Sequence, residues 1–266
     1  MKKTIRAGAL ISGGTNLQAI IDACENHQID AQMVFVGSDR SGAPGLVRAA
    51  KHQIPTFVVD YSAIIREFKH QPDSTMLPAD FDLDDLLSKQ SLFSPESDQQ
   101  KVTSFLKTRA IAEAALLTAM QPYGFDLLIL AGFMRNLSPY MIDRVNTDRS
   151  LPRIMNIHPA LLPAFAGIDG YGDTYRYGCK VGGCTVHFID YGEDSGPIIG
   201  QRAFAIQPGD SLDDIRKRGL EAEWQLYPEC IQLFAKGRLQ LVEKRWDLDK
   251  GRSYERKIVE VDPVDG

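Results

Sequence analysis

Short apolar runs, each giving way to a segment with helical spacing, constrain this chain more than any other feature. The first run, Ala7-Gly8-Ala9-Leu10-Ile11-Ser12, stops at Gly13-Gly14-Thr15-Asn16 and leads into a helix with Leu17, Ile20, Ile21 and Cys24 on one face. Met33-Val34-Phe35-Val36-Gly37 forms a second strand of the buried type, a helical stretch runs from Gly45 to His52, and Thr56-Phe57-Val58-Val59 makes a third strand. Parallel strands need crossover connections of about this length. The pattern therefore predicts an α/β fold, a Rossmann-like doubly wound and mostly parallel sheet. Such a sheet binds its ligands outside the carboxyl ends of the strands.

The pattern lapses between Tyr61 and Gln100, where Asp80, Asp82, Asp84 and Asp85 stand among Pro72, Pro78 and Pro95. This stretch reads as an acidic, solvated insertion at about 61–100. Helical spacing resumes from Lys101 to Met120, with Val102, Phe105, Leu106, Ala112, Leu116 and Met120 on one side and Arg109 on the same stripe. Arg109 either snorkels to the rim or aims its guanidinium at an anionic ligand. On the second alternative it belongs to a ligand pocket. Strands follow at Asp126 to Leu130, at Met155 to His158, at Cys184 to Phe188 and at Pro197 to Ala205, then a long helix from Leu212 to Phe234. A charged tail at about 242–266 reads as peripheral, and the whole, 1–266, as one domain.

Composition narrows the function. The chain is 44% hydrophobic and 24% charged, in the globular range, and its net charge of -5 argues against broad contact with nucleic acid. Cys24, Cys179, Cys184 and Cys230 lack the spacing of a zinc site or disulfide framework, so no metal is expected. The apolar run after Arg6 is too brief for a secretory core or a membrane span. The expectations are a cytoplasmic protein acting on small molecules, without nucleic acid or membrane, as a monomer or homodimer.

Three polar residues lie at or near predicted strand ends: Asn156, His158 and Asp194. In Asn156-Ile157-His158 an extended backbone sends both polar side chains to one face while Ile157 points into the core. Asn offers a neutral N–H to a developing oxyanion, and His donates or exchanges a proton near neutral pH. Asp194 would orient the imidazole and favour its protonated form. Acyl transfer to an amine needs these parts and no catalytic serine or cysteine. The same residues equally fit polar groups that satisfy a strand end, with Asp194 holding a turn before Gly196-Pro197.

A resemblance separates those alternatives. From Leu10 to about Leu241 the chain resembles the glycinamide ribonucleotide formyltransferases, folate-dependent enzymes of purine synthesis, apart from the insertion after Tyr61. The matching stretches are Ile11-Ser12-Gly13, Asn16 to Ala23, Leu130-Ala131-Gly132-Phe133-Met134-Arg135, Asn156 to Pro163, Thr185-Val186-His187-Phe188 and Asp194-Ser195-Gly196-Pro197. The resemblance implies a sheet of the formyltransferase type and catalytic roles for Asn156, His158 and Asp194. It implies 10-formyltetrahydrofolate as formyl donor and the amine of glycinamide ribonucleotide as acceptor. It also implies that Gly13, Gly14, Thr15 and Asn16 hold the ribose phosphate and that Glu223 helps hold the ribonucleotide. Met134, Arg135, Asn136 and Leu137 would line the folate pocket, with Arg109 assigned to the same group, and the segment from Asp190 to Gly196 would close over the pterin. His187 is read as a structural histidine in a strand.

The departures concern the acceptor side. Ser12-Gly13-Gly14-Thr15-Asn16 is one residue shorter than the family's glycine-rich loop, Ala164 to Asp173 leaves the expected pattern, and Trp224 replaces a histidine. The alternatives kept open are a formyltransferase acting on a different amine such as an amino sugar, a non-catalytic folate-binding module, and a hydrolase that releases formate. A methionyl-tRNA formyltransferase fits less well, because the short tail of mixed charge holds no basic RNA-binding domain.

Overall fold

A computed structural model describes residues 4–148, 150–249 and 252–263. Its elements run β1 (Ile5–Ile11), α1 (Asn16–Glu25), β2 (Ala31–Ser38), α2 (Pro44–Lys51), β3 (Thr56–Val58), α3 (Tyr61–His70), α4 (Leu83–Lys89) and α5 (Gln99–Met120). They continue with β4 (Leu127–Leu130), α6 (Pro139–Val145), β5 (Ile154–His158), α7 (Gly170–Arg176), β6 (Val181–Phe188), β7 (Ile198–Ala205), α8 (Leu212–Ala235), β8 (Leu239–Leu248) and β9 (Arg252–Val261).

Seven strands form one sheet in the order β3-β2-β1-β4-β5-β6-β7. The five from β3 to β5 are parallel, whereas β6 pairs antiparallel with β5 and β7 with β6. Alternate residues of one strand feed opposite cores: Leu127, Ile129 and Ala131 pack with α1 and α8, whereas Leu128 and Leu130 pack with α5 and α6. Both faces are covered, which is why β4 reads as an unbroken apolar run. The chain moves outward from β1 through β2 to β3, then returns to place β4 on the other side of β1. That reversal opens a crevice at the carboxyl ends of β1 and β4. Tyr227, fully buried on α8, donates to the carbonyls of Leu130 (3.1 Å) and Met155 (2.7 Å) and so ties together the ends of β4 and β5 beside that crevice.

The stretch at 61–100, expected to be a solvated insertion, forms α3 and α4. Aspartates in it and at its edge cap these helices and α5: Asp60 accepts from the Ala63 N–H (2.9 Å), Asp82 from Asp85 (3.1 Å), and Asp98 from Gln100 (2.9 Å) and Lys101 (3.2 Å). Asp80 accepts from the Tyr140 hydroxyl at 3.0 Å and pairs with Arg144, tying the segment to α6. Beneath it Leu86 joins Val102, Leu106, Ala110 and Tyr140 in a third apolar cluster. The tail read as peripheral forms the antiparallel ribbon β8–β9, and Arg256 on it donates to the Ser195 carbonyl at 3.0 Å. Residues 1–3, 149, 250–251 and 264–266, which the one-domain reading included, lie outside the described residues. No helix among the described residues is long and apolar enough to cross a membrane.

Glu113 on α5 is fully buried and receives the backbone N–H of Ser138 (2.8 Å) and the Ser138 hydroxyl. Burial raises its pKa to about 7, against the opposing pull of the Ser138 bonds. A carboxyl raised in this way favours the fold below its ordinary pKa and loses that contribution as pH climbs through the folded value. Relative to Glu113→Gln, the unaltered protein is expected to lose roughly 2–3 kcal/mol of stability between about pH 5 and about pH 8. Urea unfolding of both proteins across that range measures it, and parallel stability curves would refute it.

Candidate active site

A cleft of about 400 Å³ opens at the crevice predicted by the strand order. Asn16 reaches it from the start of α1, the segment after β4 supplies Phe133 to Leu137, β5 supplies Asn156 and His158, and the β6–β7 connection supplies Ile189, Asp190, Glu193 and Asp194. Met134, Arg135, Asn136 and Leu137 all line it. Two of these side chains are already engaged: Arg135 Nε donates to Asp39 at 2.6 Å, and Asn136 Nδ2 approaches Glu193 at 3.4 Å. Asp190 accepts from the Ser195 hydroxyl (2.6 Å) and the Gly192 N–H (3.1 Å), which shapes the connection from within.

His158 is 3% exposed, and both of its ring nitrogens face acceptors. Nδ1 lies 3.1 Å from Asp194 Oδ2, and Nε2 lies 2.7 Å from the Phe165 carbonyl. Two acceptors call for two N–H donors, which only the imidazolium provides. Burial by itself pushes this imidazole down, but the Asp194 carboxylate outweighs it and the net shift is upward. Asp194 shows the mirror image: burial pushes its carboxyl up, while His158 and the Gly167 N–H, 2.9 Å from Oδ2, hold it below the usual range.

His187 stands directly across the strand pair from Asn156 and is fully buried. Burial lowers its pKa, so the ring is neutral near pH 7. Its Nδ1–H donates to the Phe188 carbonyl at 2.9 Å, which leaves Nε2 as an acceptor for Asn156 Nδ2 at 3.3 Å. One amide hydrogen of Asn156 is thereby anchored and the second is left for the cleft. Deeper in, Glu223 is 4% exposed and accepts from Asn16 Nδ2 and the Tyr171 hydroxyl, each at 2.6 Å. Burial raises its pKa against both bonds.

Residues 6–231 match the Formyl transferase family. The chain belongs to it. This formyltransferase is 34% identical over 245 residues to phosphoribosylglycinamide formyltransferase of Haemophilus influenzae, covering 92% of this chain and 93% of that one. It is 32% identical to the Escherichia coli protein of the same name, over 91% of this chain and 93% of the other. The crystal structure of glycinamide ribonucleotide transformylase 1 from Symbiobacterium toebii superposes with a TM-score of 0.71 at 35% identity, covering 99% of this chain and 96% of that one. The sheet of this formyltransferase is thus the Rossmann-like sheet expected from the sequence.

Asn156, His158, Asp194, Asn16 and Glu223 come together in the cleft of the formyltransferase. Gly13, Gly14 and Thr15 do not line it but form the turn just before α1. Gly14 has φ +83°, and a Cβ there would lie 2.5 Å from the Ala131 carbonyl oxygen, so glycine alone fits this turn. Arg109 does not line the cleft: it is 8% exposed on α5, with its guanidinium 5.3 Å from the Tyr61 ring and 4.8 Å from the Phe105 ring.

Sequence reasoning missed Tyr171, Arg40 and Arg48. Tyr171 sits in the segment noted for departing from the family. Arg40 Nε donates to the Ser12 carbonyl (2.8 Å) and Arg48 Nη1 to that of Gly14 (2.5 Å), bringing two cations to the turn.

The titration of His158 tests this network. Its pKa is expected above the ordinary 6.5, and Asp194→Asn is expected to lower it. Side-chain NMR of the two imidazoles reads both effects; a His158 pKa unmoved by Asp194→Asn would break the pairing.

Proposed function

We propose that this enzyme transfers a formyl group from 10-formyltetrahydrofolate to the primary amine of glycinamide ribonucleotide, a step of purine biosynthesis, acting on small molecules in the cytoplasm. The observation that carries this reading is the meeting of a neutral amide, a charged imidazole and a carboxylate in one apolar-walled cleft. Phe133, Met134, Leu137 and Ile189 give a flat ring a surface to pack against, and the volume lies within the range of small-molecule sites.

The amine nitrogen attacks the formyl carbon, forming a carbon–nitrogen bond while the carbonyl electron pair moves onto oxygen. The pair returns as the bond to folate N10 breaks, and the proton lost by the amine ends on N10. The free amide hydrogen of Asn156 donates to the developing oxyanion, and the His158 imidazolium stabilises it electrostatically. To donate directly, Nε2–H exchanges its bond to the Phe165 carbonyl for one to the reacting oxygen. Asp194 keeps the imidazole charged. Glu223 supplies the carboxyl oxygens that hold the acceptor, and the turn at Gly13, Gly14 and Thr15, opening α1 with two arginines behind it, suits the phosphate.

A second reading keeps the chemistry and changes the amine. It rests on Tyr171, from the divergent segment, which holds one oxygen of Glu223 on the acceptor side. A formyl-transfer assay with 10-formyltetrahydrofolate and a panel of glycinamide ribonucleotide and amino sugars decides between them; highest kcat/KM for the ribonucleotide is expected. No transfer to any amine, or formate release without one, would overturn both. Asn156→Ala is expected to lower kcat about 10²-fold to 10³-fold in a protein that still folds, and near-normal turnover would remove the residue from the mechanism.

A further inference from the structure

Asp194 is carried by the connection between β6 and β7, and its own backbone is left-handed, with φ +49°. A residue with a Cβ keeps that conformation only where its surroundings enforce it. The connection is fixed on its approach, where the Tyr191 hydroxyl donates to Asp143 of α6 at 2.5 Å and the Tyr191 carbonyl accepts from the Ser91 N–H at 3.0 Å. It is fixed again on its return. The Pro197 carbonyl accepts from the Phe188 N–H at 2.9 Å, and a Cβ on Gly196 would lie 1.9 Å from the Phe188 carbonyl oxygen. Asp194 and Ser195 stand between these two anchors.

The ribbon meets them from outside. Arg256 of β9 donates through Nη2 to the Ser195 carbonyl at 3.0 Å, one residue beyond Asp194. Among the described residues this guanidinium has no carboxylate partner, so its charge is committed to a backbone oxygen. Its Nη1 lies 3.5 Å from the Tyr254 hydroxyl, and the Tyr254 ring packs against Trp246 with centroids 5.9 Å apart. Trp246 faces Tyr254 in the ribbon register, and Tyr254 and Arg256 are two apart, so all three share one face. Two half-exposed aromatic rings thus back the arginine that reaches the connection.

We propose that Arg256 is a positioning residue for formyl transfer: by holding the Ser195 carbonyl it keeps the left-handed turn that presents the Asp194 carboxylate to His158. The proposal rests on the roles given above to Asp194 and His158. Arg256 does not line the cleft, so it acts through the backbone of the connection and not on a substrate. Asp194 Oδ2 has to meet two groups at once, His158 Nδ1 at 3.1 Å and the Gly167 N–H at 2.9 Å. A turn released at Ser195 loses that double registration.

Arg256→Met keeps the stem and removes the donors. In the formyl-transfer assay with glycinamide ribonucleotide its kcat is expected to fall about tenfold or more, with KM for the ribonucleotide moving by less than about twofold. Hydrogen exchange read by NMR is expected to quicken at the Gly167 amide, which Asp194 holds, while the amides of β4 exchange as in the unaltered protein. Arg256→Lys, with a single donor atom in place of the fork, is expected to lie between the two, and it decides the matter should Arg256→Met fail to fold. Unchanged kcat, a change in KM alone, or unchanged exchange at Gly167 in the deciding variant overturns the proposal. Absence of transfer by the unaltered protein would refute the reaction itself, and the Gly167 amide would still report whether Arg256 holds the turn.

Discussion

A strand covered on both faces can hold a polar side chain only where it runs out. Leu127 to Leu130 of β4 are four consecutive residues with at most 3% exposure, and the neighbouring strands are almost as dry. What the sheet contributes to the cleft therefore sits at strand ends: Asn16 just past β1, Phe133 to Leu137 just past β4, and Asn156 with His158 on the last turn of the pleat in β5. The reversal of strand order beside β1 gathers these ends into one place. Without burial on both sides, the same polar residues would scatter along the sheet.

At the cleft, three titratable groups are driven apart by what touches them. Burial lowers the pKa of His187, whereas at His158 the Asp194 carboxylate works against the same burial and the net shift is upward. The two rings are close neighbours of one carboxylate, with Asp194 Oδ1 3.6 Å from His187 and Oδ2 3.1 Å from His158. Hydrogen-bond direction distinguishes them: the Phe188 carbonyl fixes the tautomer of one, while the Phe165 carbonyl supplies the other with a second acceptor. The neutral ring then orients the amide, and the charged ring supplies field.

Much of this was legible along the chain. The alternation in Asn156-Ile157-His158 places two polar groups on one face because a strand has period two, and β5 obeys it. The long helix expected from Leu212 to Phe234 runs from Leu212 to Ala235, with Ser211 and Asp214 forming a capping box. What escaped notice depended on contacts distant in sequence. The pairing of His187 with Asn156 needs the register of β6 on β5, which no local pattern states. Arg109 lay on an apolar stripe, but the stripe cannot say which element will cover it. The helices after Tyr61 were hidden because their capping aspartates look, as a string, like a solvated acidic run. Tyr171 lay in a segment without periodicity, where nothing distinguishes a cleft-lining ring from a surface one.

The turn from Phe165 to Gly167 touches both halves of the charged pair, taking a proton donor from His158 and giving one to Asp194. A molecule that pushes this turn aside strips an acceptor from the imidazolium and a donor from the carboxylate together. The cation becomes the stronger acid and the anion the stronger base. The acidity of this pair is thus tied to the position of three residues that carry no ionisable side chain of their own.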